Sequence, residues 1–229
     1  MGTRVFKALL LAVAVCVAVA PLAAKEKDPF PESTKDGLQL QKQTEHGAVY
    51  VKPGATLDDY DKVKILDCYV AFEKNWQRNF NRDAVGLEGR VTDQDVEEIK
   101  NKVAAEFPAA FKKVLEKGGY EVVETTGKDV LLLRPAIINL VVTAPDIPTA
   151  GMSRTYVSSS GSMTLYMELY DSLTSTKIAQ VLDSEEVGNT GFAHQANRVS
   201  NEAEFKVTME AWAEILRKRL DEAHGQGKK

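Results

Sequence analysis

The chain has 229 residues, with 29 lysines and arginines against 33 aspartates and glutamates, for a formal net charge of −4. This mildly acidic balance, without a Lys/Arg-rich face or a ladder of aromatic residues, removes the electrostatic attraction that dominates nucleic-acid binding. We therefore exclude a nucleic-acid partner. The length is sufficient for one domain with a sizeable core, and we expect one domain rather than two.

The first 24 residues have the pattern of a secretory signal peptide. Two basic residues, Arg4 and Lys7, precede an apolar run over residues 8–24 that ends in two alanines. The run is shorter than the roughly 20 residues that cross a bilayer core, so we expect cleavage after Ala24 rather than a membrane anchor. The mature chain is then exported to the periplasm or the extracellular space, with no transmembrane span.

The two cysteines, Cys16 and Cys68, indicate neither a lipid anchor nor a disulfide. Bacterial lipoproteins acylate a cysteine that follows a small residue at the end of the apolar run. Because Val15 precedes Cys16 and apolar residues follow it, we expect no lipid anchor there. Signal cleavage leaves Cys68 alone, which excludes an intramolecular disulfide. We interpret Cys68 as a small buried residue on a strand.

The mature chain is predicted to begin with an irregular segment. Residues 25–47 are polar, contain proline and glycine, and form an extended lead-in to a single domain over residues 48–223. A short strand at residues 49–51 precedes the Pro53-Gly54 turn. The β-branched and aromatic residues of the segment 63–72 then predict a core strand.

The clearest helical pattern covers residues 93–117, where apolar residues recur at spacings of three and four. Thr92 is placed to cap the start of this helix, and two glycines, Gly118 and Gly119, are placed to end it. Pro108 lies inside the pattern and lacks an amide hydrogen. We therefore expect a kink near Ala104 or a break into two helices.

Two strands are predicted after this helix, at residues 120–123 and 130–142. The second is long and apolar but contains Pro135, which cannot donate to a neighbouring strand. Pro135 therefore suggests an edge position or a bulge.

The strongest strand pattern covers residues 162–170. Apolar residues at the odd-numbered positions 163–169 alternate with polar and aromatic residues, so one face meets the core and the other contacts water or a partner. A turn at residues 171–175 and a return strand at residues 178–182 complete a predicted hairpin.

The last predicted element is a helix over residues 202–223, with Asn201 as its cap and Glu204 placed to reach back to it. Residues 224–229 are expected to be a frayed tail in which His224 is solvated. The predicted fold class is α+β, a mixed and largely antiparallel sheet with two long amphipathic helices packed on one face.

Residues 48–57, which read AVYVKPGATL, together with Tyr60 and the strand to residue 72, resemble the opening motif of the bacterial domain-of-unknown-function family 3313. The strand at residues 161–171, its polar turn and the return strand ending at Asp183 are similar to a second stretch of that family. The resemblance covers about residues 36–220. It implies a secreted or lipid-anchored envelope protein with no established activity, and hence no catalytic residues to carry over.

The residue patterns predict no catalytic, cofactor or metal site. The histidines His46, His194 and His224 are far apart, and neither a His-x-x-x-His nor a Cys-x-x-Cys spacing is present. The serine-rich segments 151–153 and 158–161 lack a Gly-x-Ser-x-Gly turn, and the chain has no Gly-x-x-x-x-Gly-Lys phosphate loop. Carboxylate pairs beside turns are interpreted as solvated surface groups.

Two long loops are predicted, at residues 143–160 and 184–200, and long loops in compact domains are often functional. Each combines an aromatic residue with an arginine, two residue types that interfaces favour. The candidate contact residues for a partner or ligand are Arg154, Tyr156, Phe192, His194 and Arg198.

The leading hypothesis is a non-enzymatic periplasmic module that binds another envelope protein through these loops or an exposed strand edge. One alternative is a small-molecule binder or hydrolase with a pocket between the 143–160 and 184–200 loops, where His194 or Arg198 contacts the ligand. Another is self-association through the sheet. A flat sheet face favours the first hypothesis, and a deep cavity lined by Arg154, His194 and Arg198 favours the second. No cofactor is expected.

Overall fold

The computed structural model describes residues 30–83, 89–143, 145, 155–157, 159–189, 194–196 and 198–225, with only the backbone described for residues 83, 155–157, 194–196 and 198–200. The strands in these ranges are β1 Gln39–Gln43, β2 Gly47–Val51, β3 Lys62–Ile65, β4 Tyr69–Phe72, β5 Glu121–Val122, β6 Val130–Val142, β7 Thr155–Val157, β8 Gly161–Asp171, β9 Lys177–Val187 and β10 His194–Ala196. The helices are α1 Trp76–Asp83, α2 Asp93–Lys117 and α3 Arg198–Ala223. In the described part of the chain, no helix is both long and apolar enough to cross a bilayer.

Eight of the described strands form one sheet in the order β1-β2-β9-β8-β6-β3-β5, with β4 also paired to β6. Strands β1, β2, β9, β8 and β6 pair antiparallel in turn. Strands β3 and β4 run parallel to β6, and β5 runs parallel to β3. The predicted α+β class with a mixed, largely antiparallel sheet is confirmed, although three helices are described instead of two.

The main core lies between one face of this sheet and the helices. The odd-numbered residues 163–169 of β8 are at most 3% exposed, as the alternation predicted. They belong to one apolar cluster with Leu133 and Ile137 of β6, Phe111 of α2 and Met209 of α3. The fold is therefore two-layered, with helices on one side of the sheet.

The strand predicted over residues 63–72 is in fact two strands, so the prediction of one continuous strand is wrong. β3 ends at Ile65 opposite Leu133, and β4 resumes at Tyr69 opposite Ala136. Three residues therefore oppose two, at the point where Pro135 has no amide hydrogen to donate. The bulge suggested by Pro135 is observed, but β6 is a central strand and not an edge strand.

Cys68 lies in this interruption between β3 and β4, not on a strand. It is 6% exposed, and its Sγ lies 3.6 Å from the carbonyl oxygen of Tyr69. Burial raises the pKa of the Cys68 thiol to about 12, which disfavours the reactive thiolate at neutral pH. The interpretation of Cys68 as a small buried residue is confirmed.

Helix α2 has the predicted boundaries and the predicted cap. Thr92 Oγ1 accepts a hydrogen bond from the backbone nitrogen of Asp95 at 3.2 Å, and Asp95 Oδ2 accepts one from the backbone nitrogen of Thr92 at 2.8 Å. The helix continues through Pro108, so the predicted break is wrong. Losing one backbone hydrogen bond at Pro108 is tolerated because the neighbouring Phe107 and Phe111 are fully buried.

Substituting Thr92 with alanine is expected to lower the free energy of unfolding by about 1 kcal/mol, since it removes the reciprocal cap. Urea denaturation measures this loss. Thr92→Ser keeps the hydroxyl and should retain most of the stability. Thr126→Ala, in an exposed loop, is the control, and equal losses in Thr92→Ala and Thr126→Ala would show that the cap contributes nothing.

Helix α1 lies in a segment for which the apolar pattern predicts no element, because eight residues are too few to establish a helical period. The Trp76 ring stacks on Phe72 with ring centroids 4.2 Å apart. Trp76 Nε1 also donates a hydrogen bond to the carbonyl oxygen of Val142 at 3.3 Å. Trp76 thereby links α1 to the ends of β4 and β6.

Helix α3 begins at Arg198, before the predicted start, so Asn201 lies within the first turn and is not the cap. Asn201 is 6% exposed, and its Oδ1 lies 2.9 Å from Ser160 Oγ, which also contacts the Glu204 carboxylate. The two side chains predicted to cap the helix instead attach it to the segment before β8. The apolar side of the helix is buried as predicted, at Phe205, Met209, Trp212, Leu216 and Leu220.

His224, just after α3, is packed against the domain, and the prediction that it is solvated is wrong. Its Nδ1 lies 2.8 Å from the carbonyl oxygen of Leu220. Its ring centroid is 5.9 Å from that of Tyr120, and its side chain is 14% exposed. The α3 helix is long enough to carry this histidine back to the β5 side of the sheet.

Residues 39–43, which the sequence pattern placed in an irregular lead-in, form β1 and pair antiparallel with β2. Leu38 is 1% exposed and lies in a second, smaller apolar cluster with Ala48 and Tyr50 of β2. Phe30 and Leu40 pack against this cluster. The segment is polar overall but provides enough apolar side chains to cover one margin of the sheet.

Candidate functional site

The face of the sheet opposite the helices is the candidate functional surface. Paired residues on neighbouring strands point to the same side of a sheet, so the register identifies its members. One row crosses five strands through Tyr69, Ala136, Tyr166, Leu182 and Ala48. The next row contains Arg134, Glu168, Gln180 and Tyr50. We call the surface defined by these two rows the helix-free face, because the buried apolar residues of all three described helices belong to the cluster on the other side.

Two side chains of the helix-free face project strongly into solvent. Tyr69 is 65% exposed, and the side chain of Arg134 is 66% exposed. Tyrosine and arginine are enriched in protein interfaces, where they bury large areas and donate hydrogen bonds. The structure therefore places an exposed tyrosine and an exposed arginine on one sheet face, whereas the β2 end of that face, at Ala48 and Tyr50, is buried against Leu38.

The second row, which contains Arg134 and Glu168 and is called the charged row below, is organised around Glu168. The Glu168 side chain is only 9% exposed. Glu168 accepts hydrogen bonds from the hydroxyls of Tyr166 at 2.9 Å and Tyr170 at 2.8 Å, and from Lys177 Nζ at 2.6 Å. Arg134 Nη1 lies 3.5 Å from the same carboxylate. Because charge-assisted hydrogen bonds are strong and directional, Glu168 holds both tyrosine rings in place.

Lys177 also connects this network to the segment that precedes β1. Its Nζ lies 2.5 Å from Asp36 Oδ2, while its other contact is with Glu168. The Lys177 side chain is 17% exposed. The lysine therefore joins the margin of the helix-free face to the centre of its charged row.

Glu168 and its hydrogen-bond partner Tyr166 both have pKa values displaced away from neutral pH. Burial raises the pKa of Glu168, but hydrogen bonds from Lys177, Tyr170 and Tyr166 outweigh it and hold that pKa below its ordinary value. Burial and the hydrogen bond to Glu168 raise the pKa of Tyr166 to about 12. A general acid or base works best with a pKa near the ambient pH, so neither group is suited to that role. Among the described residues, no three His, Cys, Asp or Glu side chains are grouped to hold a metal ion.

Alkaline pH is expected to destabilise the fold through its buried tyrosines. Burial and a 3.1 Å hydrogen bond to Asp171 raise the pKa of Tyr60 to about 12, as burial and Glu168 do for Tyr166. The folded protein therefore keeps these protons to higher pH than the unfolded chain, whose tyrosines titrate near pH 10. Their contribution to stability is complete below about pH 10 and is lost as the pH rises toward 12.

Urea denaturation at about pH 8 and about pH 11 measures this loss of stability. Tyr166→Phe and Tyr60→Phe should each reduce the difference between the two pH values, since phenylalanine has no proton to release. Tyr69→Phe, at an exposed position, is the matched control and should leave the difference unchanged. The assignment of the pH effect to Tyr60 and Tyr166 is contradicted if all three variants lose as much free energy of unfolding between the two pH values as the unmodified protein does.

Of the five candidate contact residues from the sequence, Arg154 and Phe192 lie outside the described residues. Tyr156 is in β7, His194 is in β10, and Arg198 is the first residue of α3; only their backbone is described. Strands β7 and β10 pair antiparallel with each other. The two predicted loop segments therefore meet through a small two-stranded sheet.

The predicted loops, residues 143–160 and 184–200, both contain regular structure, and Arg198 is not a loop residue. β9 extends to Val187 because its hairpin with β8 continues to the pair Gly161 and Val187. Residues 183–187 read DSEEV and lack the apolar alternation from which a strand is recognised. Pairing to β8 decides the strand there, not the local composition.

Sequence reasoning did not include Tyr69, Arg134, Glu168 or Lys177 among the candidate contact residues. The alternation in β8 does mark Tyr166, Glu168 and Tyr170 as one face, and that signal indicated a surface for water or a partner. Adding Tyr69 and Arg134 to the same surface requires the register of β4 and β8 against β6, which no local pattern provides.

Several solved structures resemble this fold at low sequence identity. A PelC dodecamer from Paraburkholderia phytofirmans is 9% identical, with 72% of this chain and 96% of that chain covered and a TM-score of 0.34. A minor lipoprotein from Acinetobacter baumannii is 9% identical, with coverages of 71% and 94% and a TM-score of 0.33. A DUF4136 family protein from Bacteroides thetaiotaomicron is 10% identical, with coverages of 76% and 96% and a TM-score of 0.36. At these TM-scores the likenesses carry no conclusion about assembly, ligand or activity.

No curated protein matches the chain. The family model described as "Protein of unknown function (DUF3313)" matches residues 27–216. This range contains every described strand and most of α3. It also contains the two stretches, residues 48–57 and 161–183, whose resemblance to that family was noted from the sequence. The chain therefore belongs to the DUF3313 family of proteins of unknown function.

Proposed function

We propose that this protein is a non-enzymatic interaction module of the bacterial envelope, which binds another envelope protein through its helix-free face. The observation that carries the proposal is the exposure of Tyr69 and Arg134 on a sheet face that has no described helix over it. The paired sheet backbone fixes the points from which these side chains project, which lowers the conformational entropy lost on binding.

The hydrogen bonds around Glu168 support this proposal. Tyr166 and Tyr170 are held by the carboxylate before any partner arrives. Aromatic side chains that are already fixed lose less entropy on binding than free ones, and this improves the affinity obtained from a given contact area. Arg134 remains exposed and is available for a carboxylate of the partner.

The expected location rests on the amino-terminal sequence. The basic residues, the apolar run and the two alanines before residue 25 predict export. The partner is then another protein of the periplasm, the outer membrane or the cell surface, or a second copy of this chain.

The described chemistry supports a binding role more than a catalytic one. The Cys68 thiol is buried with a raised pKa, and the Glu168 carboxylate is fully engaged in hydrogen bonds. These groups therefore stabilise the fold and orient side chains. The helix-free face offers shape and hydrogen-bonding groups without a nucleophile of suitable pKa.

The proposal is tested by affinity capture of the mature chain from its own envelope fraction after mild crosslinking, followed by mass spectrometry. We expect one stoichiometric protein partner. Tyr69→Ala should weaken its binding by about 30-fold, corresponding to the roughly 2 kcal/mol typical of an interface hot spot. Arg134→Ala should weaken binding and reduce its dependence on salt.

Leu173→Ala is the matched control. Leu173 is 54% exposed in the turn between β8 and β9, outside both rows of the helix-free face. This variant should bind the partner as well as the unmodified chain. Equal binding by Tyr69→Ala and Leu173→Ala would refute the assigned surface. If the capture recovers only further copies of this protein, the partner is a second copy of the chain and not a different protein.

A further inference from the structure

A cavity of about 640 Å³ opens between α2 and α3, in the helical layer on the other side of the sheet from the helix-free face. Its walls include Ile99 and Val103 of α2, Val142 of β6, and Phe205 and Met209 of α3. The volume lies within the range of about 300–1,000 Å³ that is typical of small-molecule sites. The proposed protein-binding role of the sheet does not involve this cavity.

The cavity walls are suited to a hydrocarbon chain. Val142, Phe205 and Met209 are each at most 7% exposed and form a fixed apolar floor. Methionine adapts its shape easily and packs well against irregular aliphatic surfaces. Phe205 is the one aromatic residue among the described lining residues, so stacking there does not favour a planar heterocycle over an aliphatic chain.

Charges of both signs surround the cavity mouth. Lys102 Nζ lies 2.9 Å from Glu98 and 4.0 Å from Glu202, so it bridges α2 and α3. A second ion pair joins Lys206 of α3 to Glu106 of α2. All five side chains line the cavity and are between 36% and 58% exposed. A fourth carboxylate, Asp95, lines the cavity as well, so carboxylates outnumber lysines among the described lining residues.

This arrangement of charges selects among head groups. An anionic head group would approach the glutamates as closely as the lysines, and a cationic head group would approach both lysines. A zwitterionic head group can place its anion near Lys102 or Lys206 and its cation near Glu98, Glu106 or Glu202. Each of its two charges then has a side chain of opposite sign beside it, which a head group carrying one kind of charge does not gain from both members of an ion pair.

We infer that the cavity between α2 and α3 binds the aliphatic chain of a single-chain, zwitterionic amphiphile, with its head group among the ion pairs at the mouth. The aliphatic chain of the ligand lies against Val103, Phe205 and Met209. The charges of its head group take the place of one member of the Lys102 or Lys206 ion pairs.

The test uses dodecylphosphocholine below its critical micelle concentration as the probe, with the mature chain and isothermal titration calorimetry. Val103→Phe fills the cavity and should weaken binding at least ~10-fold. Val207→Phe is the matched control, because Val207 is 66% exposed on α3 and does not line the cavity. The control should bind as the unmodified chain does.

A second substitution protects the test against misfolding of Val103→Phe. Ala203 is an exposed cavity-lining residue, so Ala203→Phe obstructs the mouth without changing the core, and it should weaken binding in the same way. Methyl resonances of Ile99 and Met209 should shift on titration. Dodecyl maltoside, which has the same chain and an uncharged head, should bind at least ~5-fold more weakly.

Unchanged affinity in both Val103→Phe and Ala203→Phe would overturn the inference. Chemical-shift changes confined to methyl groups away from the cavity would also overturn it. Equal affinity for dodecyl maltoside would overturn the assignment of a zwitterionic head group. If both detergents fail to bind and an amphipathic peptide binds instead, the cavity is a helix-docking groove and the inference is wrong. Tyr69→Ala should leave detergent binding unchanged, which separates this outcome from that of the protein-binding proposal.

Discussion

Replacing Lys177 with methionine is expected to lower the free energy of unfolding by about 3 kcal/mol, because it leaves the carboxylate of Glu168 buried without its nearest cation. The Nζ–Oε1 distance is 2.6 Å, and the two side chains are 17% and 9% exposed. Methionine keeps most of the volume of the lysine, so the loss reports the charge and its hydrogen bonds more than packing. Urea denaturation at neutral pH measures it.

The loss should depend on pH in a defined direction. The pKa of Glu168 is below its ordinary value in the folded protein. A carboxyl group of this kind contributes stability that is present above its unfolded pKa, about 4.3, and is lost as the pH falls through the folded pKa. The difference between Lys177→Met and the unmodified chain should therefore be smaller at acidic pH than at pH 7.

Two controls isolate the buried charge. Lys100→Met removes a partly exposed lysine from a 2.8 Å pair with the exposed Glu97 and should lower the free energy of unfolding by at most about 0.5 kcal/mol. Adding Glu168→Gln to Lys177→Met removes the unpaired charge and should restore more than half of the lost stability. A double variant as unstable as Lys177→Met alone would show that the charge is not the cause.

The second large effect is expected for Gly161→Ala, which should lower the free energy of unfolding by at least about 3 kcal/mol. Gly161 has φ of +149°, and an added Cβ would lie 1.9 Å from the carbonyl oxygen of Val141. The nearest atoms belong to backbone, so β8 must move relative to β6 for the methyl group to fit. Such a shift would also separate the rows of the helix-free face, and we expect weakened partner binding at temperatures where the variant is folded.

Gly54→Ala distinguishes this clash from ordinary left-handed strain. Gly54 has φ of +77°, and nothing lies within 4 Å of the position of its added Cβ. The Gly54→Ala substitution should lower the free energy of unfolding by only about 1 kcal/mol, which is the strain of a left-handed residue. Thermal and urea denaturation of both variants give the comparison. Equal losses would mean that the close approach of Gly161 to Val141 does not constrain the sheet.

Elements with a strong local pattern were predictable from the sequence. The α2 helix has a complete apolar stripe and a capping box, and its boundaries were predicted correctly. β6 and β8 were predicted from their apolar content and their alternation, and the turn between β8 and β9 from its polar residues. In these elements local preference and tertiary packing agree, so sequence patterns are sufficient.

Where pairing between distant segments decides the structure, prediction failed. The break between β3 and β4 depends on Pro135, which is more than sixty residues further along the chain. The extension of β9 to Val187 depends on β8, and the early start of α3 places Asn201 against Ser160. Contacts of this kind have no signature in the local composition of either segment.

The candidate site shows the same division. Alternation in β8 indicated that Tyr166, Glu168 and Tyr170 share an exposed side, but Tyr69 and Arg134 join them only through the sheet register. Of the residues that sequence reasoning favoured, Tyr156 and His194 lie on the small β7–β10 sheet. Their role as contact residues stays a prediction from loop length and composition, and they are not part of the helix-free face.

The most direct test of the central proposal is site-specific photocrosslinking in the envelope of the producing cell. A photoreactive phenylalanine analogue replaces Tyr69 on the helix-free face or Val207 on the outer surface of α3, two positions that are 65% and 66% exposed. The proposal predicts one discrete protein adduct from position 69 and none from position 207. An adduct from position 207 alone, or no protein adduct from position 69, would contradict it.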